Sequence, residues 1–355
     1  MPELRRDPIV GRWVIISTER GKRPSDFGPT QTAKKSGFCP FCPGNEEKTP
    51  PEVYSIRSDG GRPDTPGWDV RVVSNKFPAL QIEGELLRKA EGIYDKMNGI
   101  GAHEVIIETT EHDDDLADLP VAQVARVIRA CRERITDLSK DKRFRYIQIF
   151  KNHGEAAGAS LEHSHMQLIA TPIVPRRTVE LLNGFLQHFQ LKERCILCDI
   201  VDQERTAARR VVAENEDFIC FEPFAARFPF ETWVMPKKHQ ASFEEMRDDQ
   251  ILSFSALLCE TLQRINVTLN RPPFNFVLHT SPLNEWKEEH HFHWYVEIMP
   301  KLTKVAGFEW GTGFYINPTP PEEAAEHLRA AGAFLPNAGR NGVGAEAPGD
   351  LLREV

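Results

Sequence analysis

Two Cys-x-x-Cys pairs, Cys39/Cys42 and Cys195/Cys198, constrain this chain more than any other feature. Each is followed by a histidine behind a short apolar segment, then by an amphipathic stretch, then by a His-x-His. In the first half these are His112 and His163-Ser164-His165; in the second they are His239 and His291-Phe292-His293. Superimposing the two His-x-His triplets gives an offset of 128 residues, which Pro172 and Pro300 share, and His112 and His239 lie 127 apart. The interval from His112 to His163 is 51 residues and that from His239 to His291 is 52. The Cys-to-His intervals are 70 and 41 residues, so the first half carries an insertion. A chain with this order reads as two copies of one unit.

Bulk properties agree with a two-unit globular protein. The 355 residues suffice for two ordinary domains. Apolar content of 40% and charged content of 27% are those of a soluble protein. No run approaches the roughly 20 apolar residues that a membrane helix needs, and the polar start at Met1–Arg6 lacks the apolar core of a signal peptide, so a cytoplasmic location without a membrane partner is expected. A net charge of -8 argues against a general nucleic-acid binder, whereas a small anionic substrate needs only local cations and backbone amides. Seven cysteines in a chain of this length do not make a disulfide scaffold, and paired ones in a cytosolic chain point to metal first. Cys131, Cys220 and Cys259 sit in apolar surroundings and read as core.

Periodicity supplies the elements. Val121, Val124, Ile128, Cys131, Ile135 and Leu138 recur at three and four and predict a helix; Ile251, Phe254, Leu258, Leu262 and Ile265 predict its counterpart. Strands are expected at Ile9–Ser17, Val70–Leu80 (with a turn), His103–Glu108, Phe144–Phe150 and Met166–Thr171. In the second half they are expected at Phe218–Phe221, Thr232–Met235, Phe274–His279 and Trp294–Ile298. Lys151–Ser160 reads as a loop, and a last helix at Glu322–Ala331 precedes a flexible tail. The expected units are residues 1–176 and 177–332, with residues 333–355 as tail.

Zinc prefers tetrahedral sulfur and nitrogen ligands, and a Cys-x-x-Cys turn offers two thiolates to one ion. Two distant histidines complete each set: Cys39, Cys42, His112 and His163 for the first site, and Cys195, Cys198, His239 and His291 for the second. Such closed sites are structural. His290 competes with His291, because neighbours on a strand face opposite ways; the repeat alignment favours His291. The bland alternative is a surface turn with free thiols. On a strand His163 and His165 share a face, so a zinc-tied His163 would hold His165 on a rigid support. A neutral imidazole is a good nucleophile toward phosphorus, and the small-residue loop Asn152–Ser160 lets backbone amides approach phosphate. A further pair of metal ligands, or plain strand packing, is the competing reading of this His-x-His.

The motif His163-Ser164-His165-Met166-Gln167, with Gly158-Ala159-Ser160 before it, resembles the His-x-His-x-Gln signature of the galactose-1-phosphate uridylyltransferase branch of the histidine-triad superfamily. Asp7–Phe27 resembles that family's N-terminus, Cys39–Cys42 its first zinc pair, and Ser74–Leu80 its nucleoside-contacting turn. The resemblance spans about Asp7 to Arg329. It implies an α+β fold of two histidine-triad-like halves, each with an antiparallel sheet flanked by helices. It implies a homodimer, two structural zinc ions, and ping-pong transfer of a nucleoside monophosphate from a nucleotide sugar to hexose 1-phosphate through His165. Gln167, Ser160, Asn152 and Gly158 would then lie by the phosphates, Asn75 and Phe77 by the nucleoside, and Arg20 and Arg23 would face substrate phosphate. Ser164 stands where the uridylyltransferases usually carry proline. Together with Gly307–Pro318 it looks more like the ADP-glucose phosphorylase branch, which passes AMP to inorganic phosphate. A histidine-triad hydrolase and a non-enzymatic zinc module remain the competing classes.

Overall fold

The computed structural model describes residues 2–17, 37–284, 287 and 289–335. Arg20, Arg23 and the expected tail beyond Leu335 lie outside the described residues.

The first half contains β1 (Glu3–Arg6), β2 (Trp13–Ile16), β3 (Glu52–Ile56), β4 (Val70–Ser74), β5 (Lys89–Glu91), β6 (Tyr94–Lys96), β7 (Ala102–Ile107), α1 (Val121–Leu138), β8 (Tyr146–His153) and β9 (His165–Thr171). The second contains α2 (Arg176–Lys192), α3 (Ile196–Ala207), β10 (Val211–Glu214), β11 (Phe218–Phe221), β12 (Thr232–Pro236), α4 (Asp248–Leu269), β13 (Phe274–His279), β14 (Tyr295–Pro300), α5 (Gly307–Thr312), β15 (Tyr315–Asn317) and α6 (Pro321–Ala331). The fold is α+β with antiparallel pairing throughout the main sheet, as expected.

That main sheet has ten strands in the order β10-β11-β12-β14-β13-β8-β9-β7-β4-β3. Read from the middle, the order is mirrored: β8 answers β13, β9 answers β14, β7 answers β12, β4 answers β11 and β3 answers β10. The two half-sheets therefore join edge to edge through β8 and β13, with Asn152 opposite Asn275. Each innermost edge caps the other, so neither leaves a central edge strand open to stray pairing.

Alternation sets the two faces. Met166, Leu168 and Ala170 of β9 and Phe276 and Leu278 of β13 are buried against α1 and α4, where Val124, Ile128, Cys131, Phe254, Leu258 and Leu262 form the facing layer. Burying each of the larger aliphatic and phenylalanine side chains among these contributes about 1.5–3 kcal/mol. A second cluster packs α2 and α3, through Phe185, Leu197 and Val201, on Phe221, Trp233 and Tyr295 at the other face of the second half. In the first half the same face carries a smaller cluster of Cys39, Phe41 and Trp68 on Val73, Val105 and Ile107, and His165 and Gln167 stand on it.

Three local departures from expectation have identifiable causes. The first strand is shorter, because Asp7 accepts from the backbone N–H of Ile9 (2.8 Å) and Val10 (3.2 Å) and holds the chain in a turn up to Gly11. The expected loop begins late: β8 runs to His153, and Lys151 belongs to the strand. Helices α2 and α3 occupy a stretch where no element was expected, although Leu181/Phe185 and Leu197/Val201 carry the helical spacing of four.

Candidate active site

The first Cys-x-x-Cys turn meets the start of β9. Cys42 Sγ lies 3.3 Å from His112 Nδ1 and 3.6 Å from His163 Nδ1, and Cys39 Sγ lies 3.7 Å from His163 Nδ1. The four ligand atoms fall within 4.8 Å of one another. His163 Nε2 donates to the Thr109 carbonyl at 2.8 Å, which leaves the Nδ1 lone pair directed at the sulfurs. A backbone acceptor behind a ligating imidazole is the usual way to fix tautomer and ring orientation. Burial, and then repulsion by Cys39, push the Cys42 thiol up to about 11. A cation among the four atoms would relieve both effects.

The second cluster is built alike, with one correction. Its members are Cys195, Cys198, His239 and His293, again within 4.8 Å; His291 is not among them. Cys198 Sγ lies 3.6 Å from both His239 Nδ1 and His293 Nδ1, and His293 Nε2 donates to the Pro236 carbonyl at 2.9 Å. Register explains the difference. β9 starts two residues after His163 and β14 starts two residues after His293, so the structural offset here is 130, not 128. The connection between β13 and β14 is longer than that between β8 and β9, and the His291-x-His293 triplet imitates the motif one step too early. His291 packs instead near Phe189, with ring centroids 5.8 Å apart.

His165 is the first residue of β9 and is buried to 7% exposure. Its Nδ1 donates to the His163 carbonyl at 2.8 Å, so the ring's one proton is held there and Nε2 keeps its lone pair. Burial lowers its basicity; the bond to the His163 carbonyl opposes this, and the Lys151 cation reinforces it. The outcome is a neutral imidazole. Phe41, from the Cys-x-x-Cys turn, sets its ring edge-on to His165 with centroids 5.3 Å apart.

Two cavities meet at His165. One, of about 530 Å³, runs between Phe41, Asn75, Phe77, Val105, Ser160 and Gln167. The other, of about 590 Å³, lies between Asn152, Gly154, Glu155, Glu162 and Arg271. A cavity of about 620 Å³ between Phe221, Phe224 and Trp233 is larger, but it is lined by none of the residues the sequence singles out. Asn75, Phe77, Asn152, Ser160, His165 and Gln167 are thus brought together as expected. Phe77 is 83% exposed and offers an open aromatic face beside the first cavity.

Three features were not anticipated. His103 on β7 accepts the Ala79 N–H at Nδ1 (3.1 Å), and its Nε2 lies 3.0 Å from Gln167 Oε1 and 3.1 Å from Asn75 Nδ2. That leaves the Gln167 amide nitrogen turned away from His103. Lys151, 1% exposed, holds Glu108 (2.8 and 3.0 Å), Ser164 Oγ (2.8 Å) and the His165 carbonyl (3.3 Å), and Ser164 in turn donates to Glu108 at 2.6 Å. This buried ion pair fastens the peptide around His165 from the core side. Finally, the loop after β8 turns at Gly154 (φ +81°), where a Cβ would lie 2.9 Å from Pro273, and at Gly158 (φ +92°). Only glycine fits the first of these without displacing the second half.

Comparison with known proteins follows the same division of the chain. The family described as galactose-1-phosphate uridyl transferase matches with its N-terminal domain over residues 1–175 and with its C-terminal domain over residues 181–333. The chain is 38% identical over 335 residues to the ADP-glucose phosphorylase of Arabidopsis thaliana, covering 92% of each. It is 32% identical over 337 residues to the galactose-1-phosphate uridylyltransferase of Thermotoga maritima, covering 93% of this chain and 98% of the other. Among solved structures, that of an ADP-glucose phosphorylase from Arabidopsis thaliana with bound ADP-glucose superposes with a TM-score of 0.79 at 35% identity, over 93% and 98% of the two chains.

Proposed function

Since this chain belongs to the galactose-1-phosphate uridylyltransferase family and is a nucleotidyltransferase by that membership, we propose that it passes AMP from ADP-glucose to inorganic phosphate through a nucleotidyl group on His165. The observation that carries the mechanism is the free Nε2 of a neutral, buried His165 where two cavities meet. Nε2 attacks the α-phosphorus, the bond to the bridging oxygen breaks, and glucose 1-phosphate leaves. The imidazolium formed is stabilised by the Nδ1–H bond to the His163 carbonyl. Inorganic phosphate then attacks the same phosphorus, ADP leaves, and His165 returns to its starting state.

The other residues take their roles from position. Gln167, with its amide nitrogen freed by His103, and Ser160 and Asn152 donate to phosphate oxygens. Gly158 leaves space for them, and Asn75 and Phe77 line the nucleoside cavity. Arg20 and Arg23 complete the phosphate contacts in this reading. Both thiol–imidazole clusters suit zinc, since two thiols and two imidazoles within 4.8 Å supply the four sulfur and nitrogen ligands that structural zinc sites use. We assign them a structural part. The seven free cysteines fit a reducing cytoplasm, and a homodimer is the assembly proposed.

Adenine is placed before uridine because identity to the phosphorylase is 38% against 32% to the uridylyltransferase, and because Ser164 lies between the two histidines. Transfer of UMP between hexose 1-phosphates is the second reading, favoured by the Thermotoga maritima relative. The deciding experiment incubates the protein with α-phosphate-labelled ADP-glucose or UDP-glucose without acceptor. Acid-labile label on wild type from ADP-glucose, absent in His165→Ala and chased by inorganic phosphate, is expected. Label from UDP-glucose alone, chased by hexose 1-phosphate, would select the second reading, and label from neither would overturn the covalent mechanism.

A further inference from the structure

β13 belongs to the half that lacks a nucleophile, yet one of its side chains reaches the phosphate loop of the other half. Asn275 stands opposite Asn152 across the β8–β13 junction. Its Nδ2 donates to Asn152 Oδ1 at 2.8 Å and to the Ala157 carbonyl at 2.9 Å. An amide nitrogen has two hydrogens and accepts nothing, and a backbone carbonyl only accepts. The Ala157 contact therefore fixes which end of the Asn275 amide is nitrogen. That in turn fixes Asn152: the atom receiving the second hydrogen must be its oxygen. The Asn152 NH2 group is left facing the other way, 3.7 Å from where a Cβ on Gly158 would sit. Asn152 also lines the cavity that reaches His165.

We infer that Asn275 is a positioning residue for phosphoryl transfer: it holds the Asn152 amide in the orientation that presents hydrogens, not oxygen, to the substrate phosphate, and ties the loop to β13 in the same act. The inference rests on the proposed reading of His165 and Asn152. A side-chain amide rotated by half a turn keeps its shape and inverts its polarity. With Asn275 in place the rotated form would set two nitrogens against each other, so one orientation is selected. Without it both are open, and the rotated one repels an anionic phosphate.

Asn275→Asp is the sharpest perturbation. A carboxylate at 275 accepts and does not donate, so Asn152 turns its NH2 group toward it and its oxygen toward the substrate. The rate of label appearance on His165 in a single turnover would be measured for wild type, Asn275→Asp, Asn152→Ala and the double variant, each zinc-loaded. Asn275→Asp is expected to slow labelling about 100-fold, as loss of one donor to a developing oxyanion does. Asn152→Ala is expected to do the same, and the double variant to be no slower than Asn152→Ala alone. A merely structural role would give losses that multiply in the double variant. Should Asn275→Asp lower the melting temperature or lose zinc, Asn275→Ala, which adds no charge, is expected to slow labelling about 10-fold with the same non-additivity. Wild-type rates in both single variants at 275, or penalties that multiply, overturn the inference while leaving the His165 mechanism standing. No label on the wild type from either donor removes the mechanism itself and this inference with it.

Discussion

Replacing Lys151 by methionine tests whether the ion pair beneath His165 holds the strand that carries the proposed nucleophile. The Lys151 side chain is 1% exposed and Glu108 is fully buried. Methionine matches the length and bulk of lysine, so the core stays filled and the change removes chiefly the charge. Among the described residues, Glu108 would then keep only the Ser164 hydroxyl as side-chain hydrogen-bond partner, at 2.6 Å. Removing one member of a buried pair costs about 3–5 kcal/mol, because the other charge stays out of water uncompensated. Removing both charges is far cheaper: Lys151→Met with Glu108→Gln keeps an amide for Ser164 to bond and is expected to cost less than about 2 kcal/mol. Urea unfolding of the zinc-loaded protein measures both, with an unchanged m-value as the check that the folded state is comparable. His165 labelling should follow stability, falling in the single variant and recovering in the double, since Lys151 also holds Ser164 and the His165 carbonyl. A single variant within about 1 kcal/mol of wild type, or a double variant no more stable than the single, would refute the reasoning.

Two further outcomes follow from geometry. Zinc counted by mass spectrometry on the purified protein should be about two per chain, about one after His293→Ala, and still about two after His291→Ala; the reverse result would restore the register read from the sequence repeat. Glu222, fully buried, accepts from Thr232 at 2.7 Å through one oxygen, and its other oxygen has no hydrogen-bond partner among the described residues. Burial raises its pKa well above the usual 4.5, so it folds as the neutral acid. Its contribution to stability is therefore present below the unfolded value and lost as pH rises through the folded one. Glu222→Gln should gain on wild type in melting temperature as pH is raised from 5 to 9, and a constant difference across that range would show that Glu222 does not titrate.

How much of this was legible in sequence depends on whether a feature repeats. Helices α1 and α4 were, because their apolar residues recur at three and four along enough turns to leave no other reading. The two thiol pairs and His112, His163 and His239 were, because the halves corroborate each other. His293 was missed for the same reason that made the repeat persuasive: His291-x-His293 matches the first-half motif in two registers, and both place histidines on one face of a strand. Only the start of β14, set by its pairing with β13, tells them apart. Asn275, His103 and Lys151 occur once each, and each acts through a partner far away in the chain. Lys151 did leave a trace. It continues the alternation of Ile147 and Ile149, so it falls on the apolar face of β8, and a cation there implies a buried counter-charge.

The duplicated architecture also bears on why the proposed nucleophile, His165, has no histidine as its counterpart in the second half. His165 and Tyr295 are structural counterparts, each opening its strand two residues after a cluster histidine. Tyr295 is wedged between Trp233 (4.6 Å) and His279 (4.5 Å, nearly parallel), under the cover of α2 and α3. Burial, with Glu297 adding to it, holds its phenol well above the ordinary value, so it stays neutral. A neutral phenol with both faces covered neither attacks phosphorus nor leaves room for a phosphate. The second cluster sets the Cys195–Cys198 turn beside His293 at the start of β14, and the structural part proposed for it needs no nucleophile there. Freed from chemistry at β14, the half acts at β13 instead, where the shared sheet carries Asn275 against the other half's phosphate loop. Joining the half-sheets edge to edge is thus what carries Asn275 to Asn152 and the Ala157 carbonyl of the other half.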